Sequence, residues 1–277
     1  MLSEKVVLIA QDAYSTIPNE LNVNAVPTAT ELEYVGAEDF DKAMVNDVLP
    51  KVVDDSEGMD FSELYDFDYD WLCRCLRLKS YGPYFTTNRI FCPDCNDVHR
   101  GEYQVDLRSV PITPMPKGFV NDLTIDADEF IECKDRISFK LLTVKDKMHI
   151  DQDTMFDRSD GTKNLSLARL CYQIKSIGNQ KDMTPLDVRQ YITKKMSAAD
   201  YEILKDCVAK LTNFGMHVMG YTACPVCGSK NAYYIALQQD KFFRPSVGDI
   251  KQYKSAIRSG DWKKLPGNPA EYVRKHS

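Results

Sequence analysis

The 277-residue sequence predicts an α+β fold, mostly helical lobes around a small antiparallel sheet that a long insertion splits. Phe67, Trp71, Leu72, Cys75, Leu76 and Leu78 follow one another at helical spacings, the stripe of an amphipathic helix. Between Tyr84 and Val110 the period drops to two, through Phe85, Ile90, Tyr103, Val105 and Leu107, as in short strands about a turn. A Cys-Pro-x-Cys unit occurs twice, at 92–95 and 224–227, each time between predicted strands. The 128 residues from 96 to 223 separate the two units and include a predicted helical block.

The elements follow in chain order. Residues 1–25 read as an extended N-terminal arm, because Pro18, Asn19, Asn22 and Asn24 interrupt any period. Residues 26–82 read as a helical region. Thr28 with Glu31 is a capping-box pattern. A second helix covers Asp39–Leu49 and is stopped by Pro50. After an acidic loop, Asp66 or Asp68 caps the amphipathic helix, which carries Arg77 and Lys79 in its last turn and ends at Tyr81-Gly82-Pro83. Segments 83–110 and 216–240 are the halves of the split sheet, the second with strands at His217–Ala223 and Ala232–Leu237.

Residues 111–145 read as a β-rich connection, with RISFKLLTV at 136–144 pairing back onto LTIDADEFIEC. Residues 146–215 read as a helical insertion. Leu165–Ile174 has an apolar face, and Thr184-Pro185 is a cap with proline at the first helical position. Ser197 with Asp200 opens a last helix that Gly215 closes. Residues 241–277 form a basic C-terminal tail, with a polar amphipathic helix over Val247–Lys264.

Charge narrows the function classes. The formal net charge is −6, the reverse of a chain built to grip nucleic acid. It is unevenly spread: Val53–Asp70 holds eight acids and no base, while the tail from Lys241 holds nine Lys/Arg against three Asp/Glu. No apolar run approaches the ~20 residues of a membrane helix. The N-terminus lacks a cleavable leader pattern, which points to a cytoplasmic chain. A tail helix with so little apolar face is expected to dock. It meets either another subunit, through Lys251, Lys254, Arg258, Lys263 and Lys264, or this chain's own acidic stretch near Asp60–Asp70.

Nine cysteines without a secretory leader argue against a disulfide framework. Cys73, Cys171 and Cys207 sit in apolar helical patterns and read as buried, inert thiols. The paired units carry the chemistry. A Cys-Pro-x-Cys turn folds back so that both sulfurs point to one spot, with turn amides facing them. Two such knuckles offer four thiolates, from Cys92, Cys95, Cys224 and Cys227, to one structural Zn2+ per chain. The small sheet is then a zinc ribbon split by the helical block, which is tolerable because loop-closure cost grows only logarithmically with length. The alternatives that stay open are that each pair is a redox dithiol, that the cysteines carry no metal, or that His99 replaces one of them as a ligand. No phosphate-binding loop, dinucleotide fingerprint, metalloprotease helix or nucleophile elbow occurs, so no enzyme is expected.

Four stretches, in order, carry a family resemblance. VPTATELEYV is similar to an "L-T-x-x-E-E" helix, and DFDYDWLCRCLRLKSYG resembles "D-x-x-x-L-L-x-x-R-x-x-S-Y-G", with Arg77, Ser80, Tyr81 and Gly82 at the matching positions. FKLLTVKD at 139–146 is similar to "L-T-x-x-D", and Phe242-Phe243-Arg244-Pro245 to an "F-F-R-P" close. The order resembles the baseplate, or baseplate-hub, proteins of T-even-like contractile-tailed bacteriophages. The first knuckle departs from the pattern by placing Asn96 where the second has Gly228, although Asn also enters a left-handed turn.

The resemblance implies a non-enzymatic structural or assembly component of a phage tail baseplate, rigidified by zinc. Its partners would be other baseplate or hub proteins, with no membrane and no nucleic acid. It would work in the host cytoplasm during assembly and in the virion tail afterwards. Arg77 is expected to hydrogen-bond carbonyls leading into the ribbon. The alternative is a nucleic-acid-binding zinc-ribbon phage protein, whose mark is strong, salt-steep DNA binding. A thiol oxidoreductase with cycling dithiols is the third reading.

Overall fold

The computed structural model describes residues 4–34, 37, 39–92, 94–216 and 219–234, with isolated positions between 248 and 258. In chain order the elements begin with β1 (Glu4–Val7), β2 (Glu20–Val23), α1 (Thr28–Tyr34), α2 (Phe40–Ala43), α3 (Leu49–Val52) and α4 (Asp66–Tyr81). There follow β3 (Tyr84–Cys92), β4 (Asp97–Asp106), β5 (Ile112–Thr113), β6 (Leu123–Ile125), β7 (Ile137–Phe139) and α5 (Val144–Gln152). The last are α6 (Leu165–Gln173), β8 (Ile174–Ile177), α7 (Pro185–Lys195), α8 (Ala198–Leu211), β9 (Gly215–Met216), β10 (Met219–Ala223) and β11 (Lys230–Tyr234). Helices with small antiparallel sheets make this an α+β fold. Among the described residues no helix is long and apolar enough to cross a membrane.

The chain divides into two compact units. The first comprises 1–61, 67–115 and 214–277, the second 62–66 and 116–213. The connection at 111–145 is thus shared between them, and most of it folds with the helical block.

In the first unit α4 is the organising element. Trp71, Leu72, Cys75, Leu76 and Leu78 are buried along it, and so are Tyr69, Cys73, Arg74 and Arg77, so the helix is enclosed on every face and not only along the expected stripe. The segment expected to be an extended arm is instead part of this core. β1 and β2 pair antiparallel, and Val6, Leu8, Ile17, Leu21 and Val23 are buried. The prolines and asparagines that broke the periodicity lie in and around the long connection between two four-residue strands, too short for alternation to register. Trp71 Nε1 donates to the Val7 carbonyl at 3.0 Å.

The helix expected to stop at Pro50 runs on to Val52. A π turn over Met44–Val48 precedes the proline, and this widened turn lets a residue without an N–H enter the helix. Asp66 and Asp68, expected to cap α4, are used otherwise. Asp68 is fully buried and accepts from the Ile9 and Ala10 amides at 2.6 and 3.1 Å and from the Tyr14 hydroxyl at 2.6 Å. Asp66 pairs with Arg169 at 2.5 Å and Lys147 at 3.7 Å. The acidic stretch is therefore divided: Asp54, Asp55, Glu57, Asp60 and Glu63 are exposed, whereas Asp66 and Asp68 are engaged.

The second unit packs α5–α8 with the antiparallel sheet β6–β7–β8. Ile137, Phe139, Leu170, Ile177, Val188 and Leu204 are central to its core. β6 and β7 pair as the alternating pattern predicts, but Ile174–Ile177, inside the expected helical block, forms the third strand. The expected caps are present. Thr184 and Asp187 form a reciprocal capping box with Pro185 in the first turn, and Ser197 accepts from the Asp200 amide. The Asp200 side chain, also fully buried, accepts from the amides of Ile131, Glu132 and Cys133 at 2.7, 3.1 and 2.9 Å. Its knot of three amides fastens the 131–133 turn to the start of α8.

Candidate metal centre

The centre grows out of two hairpins in the first unit. β3 and β4 pair with Cys92 opposite Asp97 and Ile90 opposite His99. β10 and β11 pair with Ala223 opposite Lys230. β11 lies beside β3 and β10 beside β4, so the hairpins meet although distant in sequence. α4 aims the first hairpin. Arg77 is fully buried and donates to the Gly82 carbonyl at 2.6 Å and the Tyr84 carbonyl at 2.8 Å, fixing the turn from which β3 departs. This is the role its position suggested.

Each knuckle turns through a left-handed residue, Asn96 at φ 51° in the first and Gly228 at φ 72° in the second. The short polar side chain of Asn makes that conformation accessible, so the first knuckle does without a glycine. The Cys95 amide points to the Cys92 sulfur at 3.4 Å. The Cys224 amide donates to the Ser229 carbonyl and the Gly228 amide to the Cys224 carbonyl, at 2.8 and 2.9 Å. Ser229 Oγ donates to the Asp94 carboxylate, tying one knuckle to the other. That clasp has no signature in the sequence: Ser and Asp are ordinary turn residues, and only the folded pairing makes them partners. Pro93 and His217 lie outside the described residues.

The sulfurs converge. Cys92 Sγ is 3.7 Å from Cys227 Sγ, and Cys95 Sγ is 3.7 Å from Cys224 Sγ. A tetrahedron with Zn–S bonds of ~2.3 Å has edges of about 3.8 Å. A disulfide needs about 2.05 Å, and none of the nine cysteines is disulfide-bonded. The ligand atoms of Cys92, Cys95, His99 and Cys224 all lie within 4.8 Å of one another, a cluster able to hold a metal ion and consistent with a zinc site. Cys92 and Cys224 are buried, Cys95 is half-buried and Cys227 is exposed.

The thiols titrate as a set. Burial opposes ionisation of Cys224, but donation from the Cys227 and Val226 amides outweighs it and brings the thiol down to about 6. Cys95 is pushed up, first by its hydrogen bond to Cys227 and then by burial. The scattered thiols differ: burial pushes Cys75 and Cys171 up to about 12, which makes them inert.

Neither a protein-family model, nor a curated protein, nor a solved structure matches the chain. The segment Phe242–Pro245, most of the Val247–Lys264 helix and the end of the strand expected at Ala232–Leu237 lie outside the described residues. Within the tail, Lys251, Lys254 and Arg258 are helical and exposed.

Proposed function

We propose that this chain is a non-enzymatic assembly component in which one structural zinc, held by Cys92, Cys95, Cys224 and Cys227, staples two hairpins into a split zinc ribbon. The observation that carries it is the pair of 3.7 Å sulfur separations, which match the edge of a four-thiolate tetrahedron. A four-thiolate site is closed: it leaves no position for substrate or water and contributes folding free energy. Family resemblance supplies the setting, the baseplate or hub region of a contractile-tailed bacteriophage. The exposed acids at 54–63 and the exposed bases at Lys251, Lys254 and Arg258 are surfaces of opposite sign suited to docking.

Metal analysis of folded protein tests the staple: about one zinc per chain is expected, and a value near zero overturns it. Mass spectrometry of purified phage particles and tail intermediates tests the setting. Its expected result is the chain among hub or wedge proteins. Recovery on DNA instead, with steep salt dependence, overturns it in favour of a nucleic-acid-binding ribbon.

A further inference from the structure

His99 stands beside the sulfurs of Cys92, Cys95 and Cys224. Its Nε2 is buried and has no hydrogen-bond partner among the described residues. A buried, unsatisfied nitrogen is costly and calls for a physical reason. Strand register supplies its direction. Cys92 faces Asp97 across the hairpin, so His99, two residues further along β4, lies diagonal to Cys92 on the same face. The opposite face carries the cross-strand pair Phe91 and Val98, which are half-exposed. One ring nitrogen of His99 falls within 4.8 Å of the sulfurs of Cys92, Cys95 and Cys224. Cys227 adds a fourth sulfur, 3.7 Å from that of Cys92, so the three clustered sulfurs have two further donors to choose between, and of the four cysteines Cys227 is the exposed one.

We infer that His99 is a reserve ligand: when Cys227 leaves the coordination sphere, a His99 ring nitrogen takes its place and the ion is kept as Cys3His. Three thiolates with one imidazole is as regular a structural zinc set as four thiolates. The exchange needs no rearrangement of the buried sulfurs, because Cys92, Cys95 and Cys224 already cluster with His99. The centre then withstands chemical loss of its one solvent-facing thiolate. This rests on the zinc reading above.

The test compares C227A with C227A/H99A, using zinc and Co2+ as probes and a chromophoric chelator as competitor. C227A is expected to bind one equivalent, with a cobalt spectrum of reduced thiolate charge-transfer intensity. Losing a ligand's orienting partner alone costs about 10–100-fold in affinity, so the double variant, short of a fourth protein ligand, should bind at least about tenfold more weakly than C227A. Equal affinities overturn the inference while leaving the zinc staple standing. A wild-type chain that binds neither metal overturns the staple itself.

Should C227A fail to fold, stepwise alkylation of folded, zinc-loaded protein gives the answer. The exposed thiolate displaces iodide from iodoacetamide, forming an S–C bond. Wild type is expected to keep its zinc after the first alkylation and H99A to release it. Release from both at the first step overturns the inference.

Discussion

The ring of Tyr253 lies against Gly82, so that a Cβ built on Gly82 meets the ring at 2.5 Å. Gly82 also has φ +87° and closes α4, and its carbonyl receives Arg77. Tyr253, a residue of the C-terminal tail, is thereby seated on this chain at the end of α4. Gly82→Ala is expected to destabilise the protein by about 1–3 kcal/mol from the backbone alone, with displacement of the ring in addition. In Tyr253→Ala the ring is gone, so the double variant should lose less than the sum of the singles in denaturant titrations. Deleting 246–277 should likewise lower the melting temperature, and an unchanged value would return the whole tail to a partner.

Arg77→Ala leaves a buried and a part-buried carbonyl without their donor and empties the site of a fully buried side chain. A loss of about 2–4 kcal/mol is expected. Because Tyr84 opens the strand that ends in Cys92, metal affinity should fall as well. Arg77→Lys, with one ammonium in place of a fork, should recover only part of both.

Burial pushes the Asp68 carboxyl up to about 6, against the opposing effect of its three donors. A folded value above the unfolded one means that its contribution is fully present below about pH 3.8 and is lost as pH rises through about 6. Stability attributable to this group should fall by at most about 1.4 kcal/mol per pH unit across that window. Urea titrations from pH 4 to 7 should show that slope in wild type and not in Asp68→Asn. The variant is also weaker throughout, since an amide brings an N–H toward the Ile9 and Ala10 donors.

Asp200 behaves oppositely. Burial works to raise its carboxyl, but the amides of Ile131, Cys133 and Glu132 hold it below the usual carboxylate range. Its contribution is present above the unfolded value and lost as pH falls through the folded one. Asp200→Ala should lower the melting temperature of the second unit at pH 7, and the difference from wild type should shrink in acid. Hydrogen exchange on peptides spanning 123–208 is the direct reading.

Chelation should act on one unit. All four knuckle cysteines belong to the first, so stripping zinc should raise exchange in 84–106 and 219–234 while leaving 123–208 protected. Equal loss of protection in both units would mean that the metal stabilises more than the ribbon.

Much of this was legible in the sequence wherever a local rule decides. Capping at Thr184 and Ser197, the stripe of α4, the strand pairing across Asp97, the left-handed Asn96 and the carbonyl-binding Arg77 all follow from a few neighbouring residues. What escaped depends on distant partners. Asp68 looks like a cap until Ile9 and Ala10 arrive from the first hairpin, and Asp200 hides its second role in the same way. β1, β2 and β8 are too short to show a period. Pro50 ends a helix by rule, and only the π turn before it lifts the rule. The convergence of the cysteines was readable because their spacing is itself a chemical constraint, whereas the orphaned nitrogen of His99 exists only in the folded register.

The main insertion point has its own consequence. β5 and β9 pair antiparallel, Ile112 opposite Met216 and Thr113 opposite Gly215, so the chain leaves the first unit and returns to it on two hydrogen-bonded strands. Such a gate is indifferent to how many residues pass through it. A short turn joining Thr113 to Gly215 would preserve this pairing, while 62–66, which fold with 116–213, would lose their partners. The length of the inserted segment can therefore change without altering the register of the two strands that frame it.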